Sequence, residues 1–136
     1  MNDISDHITY SEATQSPTAI RFGIENIPTE HQLFAMRIVA NVCFEPLRNW
    51  YGKPIKINSF FRCTLLNQKV GGSPTSQHCK GEAMDISAGI KSENKKLFDW
   101  CKANLVFDQL INEYDYTWIH ISFRQGQNRN MVVVIK

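Results

Sequence analysis

The chain has 136 residues, of which 43% are apolar and 21% charged, and a formal net charge of +2. That size and balance suit one soluble domain over residues 1–136 with a single core. The small charge excludes the dense basic stripe of a nucleic-acid binder, though it admits an anionic polymer as substrate, and no apolar run approaches the ~20 residues of a membrane-spanning helix.

Met1 to Tyr10 is polar and carries Asp3 and Asp6. It has neither the basic start nor the apolar stretch of a secretory signal. A product made in the cytoplasm is expected, or a domain clipped from a larger secreted protein. Residues 1–28 are broken by Pro17, Gly23 and Pro28 and read as short helical turns and loops. A long helix follows. Thr29 and Gln32 have the spacing of a capping box. Leu33, Val39, Cys43, Leu47 and Trp50 recur at helical spacing and predict one apolar face. Pro46 should kink this helix, since it removes a donor and crowds the preceding turn.

Residues 55–60 alternate and predict a strand, 64–70 a short helix and 71–74 a loop. Residues 83–87 read as a strand and 92–104 as a helix with Leu97, Cys101 and Leu105 inward. Three strands complete the chain, at 107–113, 118–123 and 131–135. Helices come first and mostly adjacent strands last, which predicts an α+β fold with a small antiparallel sheet.

The four cysteines, Cys43, Cys63, Cys79 and Cys101, contain no Cys-x-x-Cys pair, so a thiolate metal site is not expected. Without a secretion signal they are expected to stay reduced. Cys43 and Cys101 read as small buried hydrophobes. Cys79 adjoins His78 but has no second cysteine near it, and His78 is the preferred ligand.

Three residues carry the chemical signal: His78, Asp85 and His120. Side chains alternate between the faces of a strand. Ile119, Ile121 and Phe123 share the core face, leaving Trp118, His120 and Ser122 on the other. Met84 and Ile86 likewise point away from Asp85. Two imidazoles and a carboxylate opposite an apolar face form a three-ligand set, and three ligands leave a fourth zinc position open for catalysis. The competing reading is an exposed histidine and aspartate with no relation to each other. Gly81 fits a turn that delivers His78 and then enters the Asp85 strand, where positive φ is useful.

The segment Ser76-Gln77-His78-Cys79-Lys80-Gly81-Glu82-Ala83-Met84-Asp85, followed by Trp118-Ile119-His120, resembles the motifs of the zinc D-Ala-D-Ala carboxypeptidase and dipeptidase family, and within it the small phage and bacterial peptidoglycan peptidases. Gly23 to Pro28, Pro46-Leu47-Arg48, Ser59 to Arg62, Asn67, Val70 to Ser73 and Asn128-Arg129 extend the resemblance from about residue 8 to the carboxyl end. Phe60-Phe61 stand where the family has Gly-Tyr, and Cys63 where serine is usual.

The resemblance implies one Zn²⁺ held by His78, Asp85 and His120, and the fold shared with the hedgehog signalling domain. It implies hydrolysis of an amide bond in peptidoglycan peptides, either L-alanyl-D-glutamate or terminal D-alanyl-D-alanine. It also implies a carboxylate acid or base shortly before the last histidine. Glu113 and Asp115 are the candidates. Glu113 is preferred because residues 109–114 resemble the small-peptidase pattern, and each could instead be an ordinary surface acid. Arg62 matches the substrate-facing arginine, with a plain salt bridge as its alternative role. Ser76 is expected to bond substrate near the metal or to shape its loop. A monomer released at lysis in the manner of a phage endolysin is expected. The competing function is a non-catalytic zinc interaction module of the hedgehog type.

Overall fold

The computed structural model describes residues 3–136. Two short helices open the chain, α1 (Tyr10–Thr14) and α2 (Pro17–Phe22). This is the pattern expected for residues 1–28, of which 1 and 2 lie outside the described residues. Helix α3 (Glu30–Val39) begins with the anticipated capping box, in which Thr29 and Gln32 satisfy each other's backbone N–H groups.

The irregularity expected at Pro46 takes the form of a π turn over Ala40–Phe44 that joins α3 to α4 (Glu45–Tyr51). Its wider winding is closed by the Glu45 N–H bonding to the Ala40 carbonyl, and it accommodates a proline that offers no N–H of its own. Met36, Val39, Ala40, Cys43, Phe44 and Leu47 are buried along this helix. Trp50, expected inward, is instead 48% exposed at the end of α4 and stacks on Trp100 with ring centroids 5.3 Å apart.

Strand β1 (Lys56–Ser59), helix α5 (Thr64–Lys69), a 3₁₀ turn (Gln77–Lys80), strand β2 (Ala83–Ser87) and helix α6 (Lys91–Asn104) follow. Strands β3 (Gln109–Glu113), β4 (Trp118–Ser122) and β5 (Met131–Ile135) complete a five-stranded sheet in the order β1-β2-β4-β3-β5. The first four are antiparallel, as expected, whereas β5 adds to β3 in parallel. The chain leaving β4 passes the start of β3, where Asn130 and Met131 donate to the Phe107 and Asp108 carbonyls, and so enters the sheet on the far side of β3. The sheet is mixed and the class is α+β.

The predicted alternation holds. Met84, Ile86, Leu110, Ile119 and Ile121 pack with Leu97 and Cys101 of α6 and the apolar side of the long helix to form the core. The opposite face of β2, β4 and β3 carries Asp85, His120, Ile111 and Glu113, and here the candidate site forms.

Candidate metal centre

Asp85 and His120 are directly paired across β2 and β4, with Asp85 Oδ1 3.0 Å from His120 Nδ1. His78 approaches from the 3₁₀ turn, its Nε2 3.3 Å from Asp85 Oδ2. One potential ligand atom from each of the three lies within 4.8 Å of the others. The two imidazole planes stand at 75° to each other, with ring centroids 5.2 Å apart.

The loop geometry explains how His78 reaches the strand pair. Ser76 Oγ accepts from the His78 N–H and shapes the start of the turn. Gly81 ends it at φ +74, and a Cβ there would lie 2.5 Å from the Gln32 carbonyl oxygen. His78 Nδ1 lies 2.7 Å from the Phe60 carbonyl, which makes that nitrogen the donor and leaves Nε2 as a lone pair aimed at the centre. Fixing the second imidazole nitrogen in this way is how proteins orient a metal-binding histidine.

A cation suits this donor set. The Nε2 atoms of both His78 and His120 are buried without a hydrogen-bond partner. Burial pushes the Asp85 carboxyl upward, but the two imidazoles together outweigh it and hold the group well below the usual carboxylate range. An ionised carboxylate between two buried imidazole edges is a group of donors lacking a common acceptor of their lone pairs, and a metal ion supplies one.

The cleft over this centre has a volume of about 890 Å³ and is lined by Arg62, Ser76, Gln77, Glu113 and Arg129, among others. Arg62 sits in a tightly held loop. Asn26 donates to the Thr14 and Phe61 carbonyls and accepts from the Cys63 N–H, while the Arg62 N–H donates to the His78 carbonyl. The Arg62 Nε is buried and unpartnered. Asn26 belongs to the early Gly23–Pro28 segment, and its buried side chain explains that segment's place near the site.

The two candidate acids separate. Glu113 shares a strand face with Ile111, which pairs with His120, and it lines the cleft. Burial, and then the charge of Asp85, raise its pKa against the opposing pull of His120, Trp118 and Arg62. Asp115 lies in a turn of three residues with positive φ, its side chain 77% exposed and 3.6 Å from Lys91 Nζ.

Sequence reasoning gave Asp108 no role, yet it is fully buried beside the site. It accepts from Gln77 Nε2 at 2.9 Å, from Arg129 Nε and Nη2 at 2.9 and 2.8 Å, and from the Arg129 backbone N–H. A single acid between Phe107 and Gln109 carries no signal of this role. The cysteines behave as expected where burial was predicted: burial pushes the Cys43 thiol up to about 12 and raises Cys101 as well.

An α+β protein with a His-Asp-His centre at the floor of an open cleft has the architecture of a metal-dependent hydrolase. The model of the Peptidase M15 family matches residues 6–122, and the chain belongs to that family. It is thus a metallopeptidase, and its resemblance to the zinc D-Ala-D-Ala carboxypeptidases is one of family membership. No curated protein matches the chain. Among the described residues, no helix is long and apolar enough to cross a membrane.

Proposed function

We propose that residues 1–136 act as one zinc peptidase domain that hydrolyses an amide bond in peptidoglycan peptides. The observation carrying this reading is the shared cleft: Glu113 and Arg62 line the same space as His78, Asp85 and His120. A non-catalytic zinc module of the hedgehog type would need neither a half-buried acid nor an unpartnered guanidinium there.

His78, Asp85 and His120 would hold the zinc, which when bound would supply a Lewis acid to acidify water and polarise a peptide carbonyl. Glu113 takes the proton of the attacking water on a carboxylate oxygen and passes it to the leaving amine nitrogen as the C–N bond breaks. Burial and the Asp85 charge raise its pKa, the direction that favours taking up a proton and holding it for the leaving nitrogen. Arg62 binds a substrate carboxylate through two parallel N–H groups or stabilises the developing oxyanion. Ser76 offers a hydroxyl at the cleft wall for a substrate hydrogen bond.

The site of action consistent with this substrate is the cell wall, reached after release in the manner of an endolysin or as part of a secreted protein. The test is incubation of zinc-loaded protein with defined muropeptides, followed by mass identification of the products. Cleavage at L-alanyl-D-glutamate or at D-alanyl-D-alanine distinguishes endopeptidase from carboxypeptidase. Absence of any product overturns the peptidoglycan assignment.

A further inference from the structure

Resting on the peptidase reading, we infer that Arg129, held in place by buried Asp108, is a receptor for a free carboxylate on the substrate away from the scissile bond. Three observations carry this.

First, Asp108 is entirely buried, and its ionised form is held by the Arg129 guanidinium, which outweighs burial and lowers its pKa to about 2. A buried charge is costly unless it is paired, so this carboxylate fixes whatever pairs with it. Secondly, Arg129 uses Nε, Nη2 and its backbone N–H on Asp108, while Nη1 has no hydrogen-bond partner among the described residues. Its side chain remains 48% exposed and lines the cleft. A guanidinium with one edge anchored and another open is pre-ordered for an anion, because little side-chain entropy remains to be lost. Thirdly, Arg62, Lys80 and Arg124 line the same cleft as Arg129, so that cations outnumber the carboxylates of Asp85 and Glu113 there even with Arg129 paired to Asp108 beneath it.

Asp108 also accepts from Gln77, the residue before His78, so the same carboxylate ties the receptor to the metal-binding turn. Asp108 is a positioning residue here, and Arg129 makes the contact. The ligand chemistry is a peptide bearing a free carboxylate, such as the α-carboxylate of a γ-linked D-glutamyl residue. Its carboxamide counterpart would lack the charge.

The test compares stem peptides with a free carboxylate or a carboxamide on that residue. Binding is measured by calorimetry on zinc-loaded E113Q protein and on E113Q/R129Q, E113Q/R129K and E113Q/R124Q, with melting curves to verify folding. The expected result is a preference for the acid of roughly tenfold or more in the parent, the ratio typical of a charge-assisted hydrogen bond. It should collapse towards one in R129Q, survive in part in R129K and persist in R124Q. A parent that binds both peptides equally, a ratio unchanged in R129Q, or an equal loss in R124Q overturns the inference. Cleavage of both peptides by the wild-type enzyme without preference would sink this receptor while leaving the peptidase reading intact. Neither binding nor cleavage would end both.

Discussion

His78 Nε2 and Asp85 Oδ2 face each other at 3.3 Å with the imidazole's other nitrogen already committed to the Phe60 carbonyl. That commitment leaves a lone pair directed at a carboxylate oxygen, an arrangement that a cation between them stabilises. Metal binding to the folded centre should therefore stabilise the fold. Zinc at a hundredfold excess over its dissociation constant should stabilise the fold by about 2.7 kcal/mol. Thermal melts with and without chelator measure this. H120A should lower both zinc stoichiometry and the zinc-dependent rise in Tm, and full stoichiometry in that variant would remove His120 from the ligand set.

Glu113 gives a prediction with two opposite signs. E113Q should retain zinc yet lose roughly 10²- to 10⁴-fold in turnover, the usual contribution of a positioned base. In metal-free protein the same change should raise Tm. Glu113 has a raised folded-state pKa, so its stability contribution is present below its unfolded pKa and is lost as pH rises through the folded value. Burial and the Asp85 charge both penalise the ionised form, and a neutral amide relieves that penalty. Melts in chelator at pH 7 test the second half, and muropeptide turnover tests the first.

Arg62 should behave differently from the ligands. R62K keeps a charge but loses the planar fork. It should reduce kcat/KM by roughly 10²-fold, the scale of one lost oxyanion donor, with zinc content unchanged. Elemental analysis beside steady-state kinetics separates this outcome from a collapsed site, which would lose the metal too.

Gly81 is the mechanical joint between the turn and β2. An alanine there must adopt φ +74 and place its Cβ 2.5 Å from the Gln32 carbonyl and 2.8 Å from Met36 Cγ. The left-handed conformation alone costs about 1–2 kcal/mol, and the backbone clash adds to it. G81A should therefore lower both Tm and zinc affinity, since the displaced turn carries His78. Stability unchanged within error in urea titration would contradict this geometry.

The parts of the molecule written in local pattern could be read from the sequence. The alternation at 83–87 and 118–122 located both strands and put Asp85 and His120 on one face, because a period of two leaves no other placement. Thr29 and Gln32 likewise announced the helix start. Pairing direction was not legible for β5: Met131-Val132-Val133-Val134-Ile135 is apolar at every position and offers no cue to parallel or antiparallel neighbours. The π turn depends on how the helix relieves Pro46 in three dimensions. Asp108 escaped because its partners, Gln77 and Arg129, come from loops 31 and 21 residues away.

That same carboxylate makes a pH prediction. Asp108 has a folded-state pKa depressed to about 2 from an ordinary 3.8, chiefly by its hydrogen bonds with Arg129. A depressed acid contributes stability above its unfolded pKa and loses it as pH falls through the folded value. The window here runs from about pH 4 down to about pH 2. The shift corresponds to about 2 kcal/mol, which D108N should forfeit at neutral pH. Urea unfolding of metal-free wild type should then show a steeper fall in stability across that window than D108N does. The difference between the two proteins should narrow as Asp108 protonates in the wild type. Parallel acid limbs in the two proteins would mean that the buried carboxylate is not the charged anchor of Arg129.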